Sequence, residues 1–201
     1  MPDLPSSDLD AVLWVDTLLQ QRRTTLPKRL TGPGPTAAQR HAILRAAASA
    51  PDHDQLLPWR FIEVPADTRA ALGLAFAAAL RERDPRASAD ELAQAQDKAV
   101  RAPWLLLAVV RTADTHPEVP ALERVLSAGA AIQNMLLMAT AMGLGSSLTS
   151  GKALRSQALR QLFQLAAGEE ALCFVNVGHV ASSRPPRQRP DVAAYFSALK
   201  T

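Results

Sequence analysis

Pro103-Trp104-Leu105-Leu106-Leu107-Ala108-Val109-Val110 decides how this chain is read. The run is short and apolar without a break. It is fenced by Pro103 on one side and by the polar residues 111–115 on the other. Such a segment fits a strand covered on both faces, because a strand with one wet face would alternate apolar with polar residues. The sheet that holds it needs helices on each side.

Working outward, Ala171 to Val177 (ALCFVNV) reads as a second strand of the same kind. Trp59 to Val64 alternates, with Trp59, Phe61 and Glu63 on one face and Arg60, Ile62 and Val64 on the other. Ser146 to Ser150 reads as a short strand. Helical periodicity marks Ser7–Arg22, where Leu9, Val12, Leu13 and Leu19 form a stripe. Thr36-Ala37-Ala38-Gln39 is a capping box that opens a helix, and Pro51 ends it near Ala50. Asp67–Arg83 is helical, and a second capping box, Ser88-Ala89-Asp90-Glu91, starts a helix that reaches about Val100. Ala121–Met142 is the longest helix, with Gly143 and Gly145 as C-cap positions, and Arg155–Leu165 is the last clear one. This order predicts a three-layer α+β or α/β domain with a central sheet of about four strands, one domain over 1–201. In the longest helix, the small residues Ser127 to Ala131 with Met135, Leu136 and Met138 offer more apolar surface than a small monomer covers. They predict an interface with a second copy.

Composition narrows the function. Hydrophobic residues are 48% of the chain, enough for a real core and too many for a disordered one. The 22 basic and 19 acidic residues give a net charge of only +3, and aromatics are 4%. Scattered arginines with few stacking rings argue against nucleic acid. No apolar run reaches the ~18–20 residues that span a bilayer. The start, MPDLPSSDLD, is acidic and unlike a secretory signal, and the single cysteine forms no internal disulfide. A cytoplasmic protein without a membrane anchor is expected.

Familiar catalytic patterns are missing from the sequence. It contains no G-x-G-x-x-G after a strand, no P-loop, no H-E-x-x-H and no G-x-S-x-G. His41, His53, His116 and His179 lack metal-ligand spacing, so no metal is expected. Cys173 sits mid-strand and reads as a small buried hydrophobe. If the protein is an enzyme, a bound cofactor does the hard chemistry.

Three segments stand apart. Arg22-Arg23-Thr24-Thr25 either satisfies a helix C-terminus or wraps a phosphate. Ala50-Pro51-Asp52-His53-Asp54-Gln55-Leu56-Leu57-Pro58-Trp59 is either a rigid turn or a ligand-contacting loop. Gly143-Leu144-Gly145-Ser146-Ser147-Leu148-Thr149-Ser150-Gly151 is rich in glycine and hydroxyl groups, and its amides suit a planar ligand.

In this order and spacing the three segments resemble the nitroreductase family of flavin-dependent oxidoreductases. The likeness runs from about Arg22 to Pro190: an Arg-x-Ser/Thr element, an A-P-S/D segment leading to Pro-Trp and a strand, a long helix ending in G-L-G, and a strand with Gly178 followed by a basic pair. The resemblance implies an α+β, three-layer nitroreductase-like fold with a mixed or antiparallel sheet of about four to five strands. It also implies FMN as cofactor, NAD(P)H as reductant and a homodimer with both sites at the subunit interface. Arg22, Arg23 and Thr24 would then hold the FMN phosphate and ribityl chain, with Arg187 and Arg189 completing the phosphate site. Leu148, Thr149, Ser150 and Gly151 would line the flavin ring, with a backbone amide near Gly151 aimed at N5. Pro51 and His53 would approach the flavin from the other subunit; the alternative for His53 is a hydrogen bond to its neighbours Asp52 and Asp54.

The implied reaction passes hydride from NAD(P)H through the flavin to a nitroaromatic, quinone or similar electron-poor acceptor, in ping-pong fashion and without an obligatory side-chain acid. The chain departs from the family in two places. The family's early basic residue is replaced by Leu26-Pro27, with Lys28 and Arg29 arriving later, and Leu57 stands where many members have glutamine. The first departure keeps a second reading open: a flavin-binding protein without turnover, serving storage or sensing.

Overall fold

A computed structural model of the chain describes residues 8–113, 116–182 and 188–199. In it the apolar run becomes β3 (Trp104–Arg111), set between β2 (Trp59–Glu63) and β5 (Glu169–Val180). The far edge of β5 takes β4 (Gly145–Thr149) and, at its end, the two-residue β1 (Leu30–Thr31). All strand pairings are antiparallel, and one parallel bridge joins Thr24 to Ser146 on the outer edge of β4.

The side chains of β3 point alternately into two apolar layers. Trp104, Leu106, Ala108 and Val110 meet Ile43 of α2 (Ala37–Ala47) and Met135 of α5 (Ala121–Ala141). Leu105, Leu107 and Val109 meet Leu72 of α3 (Arg69–Arg83) and Leu159 of α6 (Gln157–Leu162). α4 (Ala89–Asp97) packs beside α3, and α1 (Asp8–Gln21) leans on α5. This is the three-layer α+β arrangement that an uninterrupted apolar strand requires, because each face of β3 has its own helical cover.

Local chemistry explains the boundaries. Both capping boxes are formed: Thr36 and Gln39 exchange side-chain and backbone bonds, as do Ser88 and Glu91. α5 ends in a Schellman motif. Gly143 takes φ +72°, its N–H donates to Thr140, and the Leu144 N–H donates to Ala139.

Several expectations are corrected. Gly145 is a strand residue rather than a cap; a Cβ there would lie 2.7 Å from Val180 Cγ2 and 2.9 Å from Leu30 Cδ2. The last helix is shorter than Arg155–Leu165 because a 3-10 turn, Lys152–Arg155, precedes it and Ser156 caps its start. The small and apolar stripe of α5 faces mostly inward. Ser127, Ala128, Ala131, Met135 and Leu136 are buried against the protomer's own sheet and α2. Leu122 and Leu126 are exposed instead, at 70% and 66%, and Gly129 faces open space.

Candidate functional site

The last residues of β4 and the turn beyond them form one wall of a cavity of about 680 Å³, a size typical of small-molecule sites. Leu148, Thr149, Ser150 and Gly151 of the glycine- and hydroxyl-rich segment all line it. A Cβ on Gly151 would meet nothing within 4 Å, so the backbone there is open to a flat neighbour. Phe76 and Leu80 of α3, Leu105 of β3 and Phe174 of β5 supply apolar surface. Asn176 fixes the β4 wall: its Nδ2 donates to the Ser147 carbonyl at 3.2 Å and to Thr149 Oγ1 at 3.1 Å. Beside it the buried hydroxyls of Ser146 and Ser147 have no hydrogen-bond partner among the described residues.

The ionisable residues of this cavity are Lys28, Arg83, Lys98, Arg101 and Lys152, five cations with no acid among them. None of the five has a side-chain partner among the described residues. Sequence reasoning missed Arg83, Lys98, Arg101 and Lys152 and saw Lys28 only as a late substitute. The pattern is tertiary. Buried Arg69 donates to the carbonyl oxygens of Val64 (2.7 Å), Ala99 (2.7 Å) and Ala102 (3.2 Å). That clamp holds the turn carrying Lys98 and Arg101, and burial pushes the pKa of Arg69 itself down.

A second basic corner lies at the end of α1. The Thr25 N–H donates to the Ser146 carbonyl at 2.8 Å, so the Arg22–Thr25 segment is tied to β4. Arg189 Nη2 donates to the carbonyl oxygens of Arg22 (2.9 Å) and Leu19 (3.4 Å), capping the helix. Arg22 is half-buried; burial first, and the charge of Arg189 second, press its pKa down. Two guanidinium groups that repel each other are prepared for an anion. Arg23 and Thr24 are exposed. Arg187 lies outside the described residues. None of Arg22, Arg23, Thr24 or Arg189 lines the cavity.

Pro51 and His53 sit elsewhere, in an exposed loop beside the start of α5. The loop is shaped by positive φ at Asp54 (51°), Gln55 (55°) and Leu57 (46°), and Asp52 Oδ2 accepts from the Leu57 N–H at 2.8 Å. His53 does not chiefly pair with its neighbours. Its Nδ1 is 2.7 Å from Glu123 Oε1, while Asp54 is 3.6 Å from Nε2. The hydrogen bond to Glu123 raises the pKa of His53. Neither Pro51 nor His53 lines the cavity of its own protomer.

Cys173 is buried, and burial pushes its thiol up to about 11, as suits an inert packing residue. Among the described residues no helix is long and apolar enough to cross a membrane. Among them, too, no group of His, Cys, Asp and Glu could hold a metal ion.

Comparison with known proteins agrees with the fold and the family. A Haemophilus influenzae protein named "Putative NAD(P)H nitroreductase" is 35% identical over 162 residues, covering 81% of this chain and 86% of that one. The structure of a nitroreductase-like family protein from Bacillus cereus superposes with a TM-score of 0.80 over 100% of both chains, at 17% identity. A Bacteroides fragilis nitroreductase, solved with bound FMN, gives a TM-score of 0.67 at 17% identity, over 92% of this chain and 98% of that one. The family model described as "Nitroreductase family" matches residues 19–179, a span that takes in both Arg22 and the cavity wall at Leu148–Gly151. With residues 19–179 matched and a relative 35% identical over 81% of the chain, the chain belongs to the nitroreductase family of oxidoreductases.

Proposed function

We propose that the protein binds FMN and uses NAD(P)H to reduce electron-poor compounds such as nitroaromatics or quinones by a ping-pong mechanism. One observation carries this reading: β4 joins two anion-ready regions. Its start is bonded to the segment behind Arg22, and its end walls a cavity rimmed by cations. FMN has matching parts, a phosphate of charge near −2 and a flat ring that becomes anionic on reduction. The FMN reported in the Bacteroides fragilis nitroreductase, and the reductant in the name of the Haemophilus influenzae relative, support the same choice.

When bound, the flavin supplies a two-electron hydride acceptor and donor, which no side chain of this protein can replace. Arg22, Arg23 and Thr24 hold the phosphate and ribityl chain, with Arg189 adding charge at the same corner. The open backbone at Gly151 would offer its amide to the flavin ring near N5. Lys28 and Lys98 give the positive potential that stabilises a reduced, anionic ring beside N1 and O2. Lys28 thus serves at the position left empty by Leu26-Pro27. Pro51 and His53 close the site from a second copy, so the working unit is a homodimer. Protons come from solvent, and no side chain is asked to act as a general acid. A reaction that consumes NAD(P)H belongs in the cytoplasm, where that reductant is made.

The test begins with colour. Purified protein should carry, or take up on dialysis, the absorbance band of oxidised flavin. Stopped-flow mixing with NADH and with NADPH should bleach that band with at least one of them. Flavin that stays oxidised with both would leave a binding protein without turnover, and colourless protein would end both readings.

A further inference from the structure

We infer that the cavity selects electron acceptors that carry an anionic group, aromatic acids above all, over neutral compounds of the same shape. This rests on the FMN reading above. The argument is one of charge. Five cations line the cavity and no acid does. The candidate phosphate ligands Arg22 and Arg189 lie outside it, so the cofactor's phosphate does not account for the five. A reduced flavin carries one negative charge beside its pyrimidine ring, which one or two cations answer. The rest are left to answer a second anionic ligand.

The kind of anion follows from the other lining residues. Arg83 ends α3 and Arg101 follows the turn after α4, so both lie on the helical wall. Phe76 and Leu80 are partly exposed and supply apolar surface to the same cavity, whose lining also includes the buried Leu105 and Phe174. An apolar wall that includes Phe76, with two guanidinium groups in the same lining that have no side-chain partner among the described residues, suits an aromatic ring bearing a carboxylate, which arginine can take in bidentate fashion. A neutral analogue would fill the same apolar surface and leave those guanidinium groups with water. For a nitro acid the overall step takes one hydride from NAD(P)H and one proton from solvent; the nitro group becomes nitroso, one N–O bond is lost as water, and NAD(P)⁺ leaves.

The experiment uses the full-length protein loaded with FMN, its flavin content measured first. Benzoate and benzamide, which are not reduced, are titrated while the flavin spectrum is followed. Benzoate should bind at least tenfold tighter, and the gap should narrow as ionic strength rises. The ratio of kcat/KM for 4-nitrobenzoate to that for 4-nitrobenzyl alcohol should also exceed ten, and fall towards one in Arg83→Gln and in Arg101→Gln. A flavin-loaded protein that binds the two probes equally overturns the inference while leaving the FMN reading intact. So does a ratio that survives both substitutions. If the substitutions raise instead the NADH or NADPH concentration that half-saturates flavin reduction, and leave the acid preference alone, the cations serve the dinucleotide and the inference is again overturned. Protein that takes up no FMN overturns both.

Discussion

Arg189 Nη2 lies 2.9 Å from the carbonyl oxygen of Arg22, so a residue near the end of the chain is fastened to the end of its first helix. The contact does two things. It satisfies helix carbonyls that would otherwise need water, and it brings a second cation to the half-buried Arg22. Replacing Arg22 with alanine should therefore weaken FMN binding by about 2–4 kcal/mol, the scale of removing one partner from a desolvated charge pair. Arg23→Ala should cost less, because Arg23 is exposed. Quenching of FMN fluorescence on titration reads both. An Arg22→Ala protein that purifies with a full flavin complement in moderate salt would disprove the phosphate assignment.

His53 and Glu123 make a pH-sensitive contact. The hydrogen bond to Glu123 raises the histidine pKa above its ordinary 6.5, so the charged pair forms fully below that value. Whatever the pair contributes to holding the loop is present just below pH 6.5 and is lost as pH rises through the raised value. Imidazole proton resonances should titrate above 6.5 in the wild type and move back towards it in Glu123→Gln. If His53 contacts FMN from the second subunit, its affinity for flavin should fall over the same pH range. His53→Ala should then loosen FMN and shift the flavin potential yet keep hydride transfer measurable. A loss of flavin reduction by ~10³-fold at full FMN occupancy would give His53 a part in the chemical step.

The outer face of α5 should carry the dimer. Leu122 and Leu126 are exposed there, and α1 adds Leu9, Val12, Leu13 and Trp14, all more than half exposed. Surface of this kind is costly to leave in water and marks an interface. We expect a homodimer that buries more than ~2,000 Å² in total. Leu126→Arg should shift light-scattering mass towards the monomer and lower flavin content with it. A wild-type monomer at micromolar concentration with FMN bound would defeat this expectation.

Arg69 is a test of indirect support. Arg69→Met leaves the carbonyls of Val64, Ala99 and Ala102 without their donor, at a cost of about 3 kcal/mol or more. The melting temperature should fall by roughly 6–12 °C for a chain of this size. FMN affinity should weaken too, since the turn bearing Lys98 and Arg101 loses its clamp. Unchanged melting would show that the guanidinium is not essential to that turn.

Much of the fold could be read in the chain because its signals are local. Thr36–Gln39 and Ser88–Glu91 announce their helices in four residues each, and Gly143 announces the end of α5. The apolar run of β3 implied both helical layers. β1 escaped notice because Leu30-Thr31 is two residues long and flanked by prolines at 27 and 33. The outward face of α5 was misjudged because a helix apolar on several sides does not say which side meets its own sheet. In the site, the segment from Leu148 to Gly151 was visible by composition. The five cations come from four separate stretches of chain, and His53 finds Glu123 seventy residues away, so neither pattern has a local signature.

The twelve residues of β5 have a consequence for how the protein is made. β5 is the strand that β1, β3 and β4 all pair with, and it comes last. While the ribosome is still working on the chain before Glu169, only the β2–β3 pairing can form, and the inner edge of β3 stands open. The 168 residues before Glu169, more than four-fifths of the 201, are made before that partner strand, which makes folding slow to nucleate and leaves an apolar edge ready to capture other chains. Truncation shortly before Glu169 should accordingly yield insoluble protein rather than a smaller stable domain, and cleavage of a nascent chain at that point would discard every strand pairing except β2–β3.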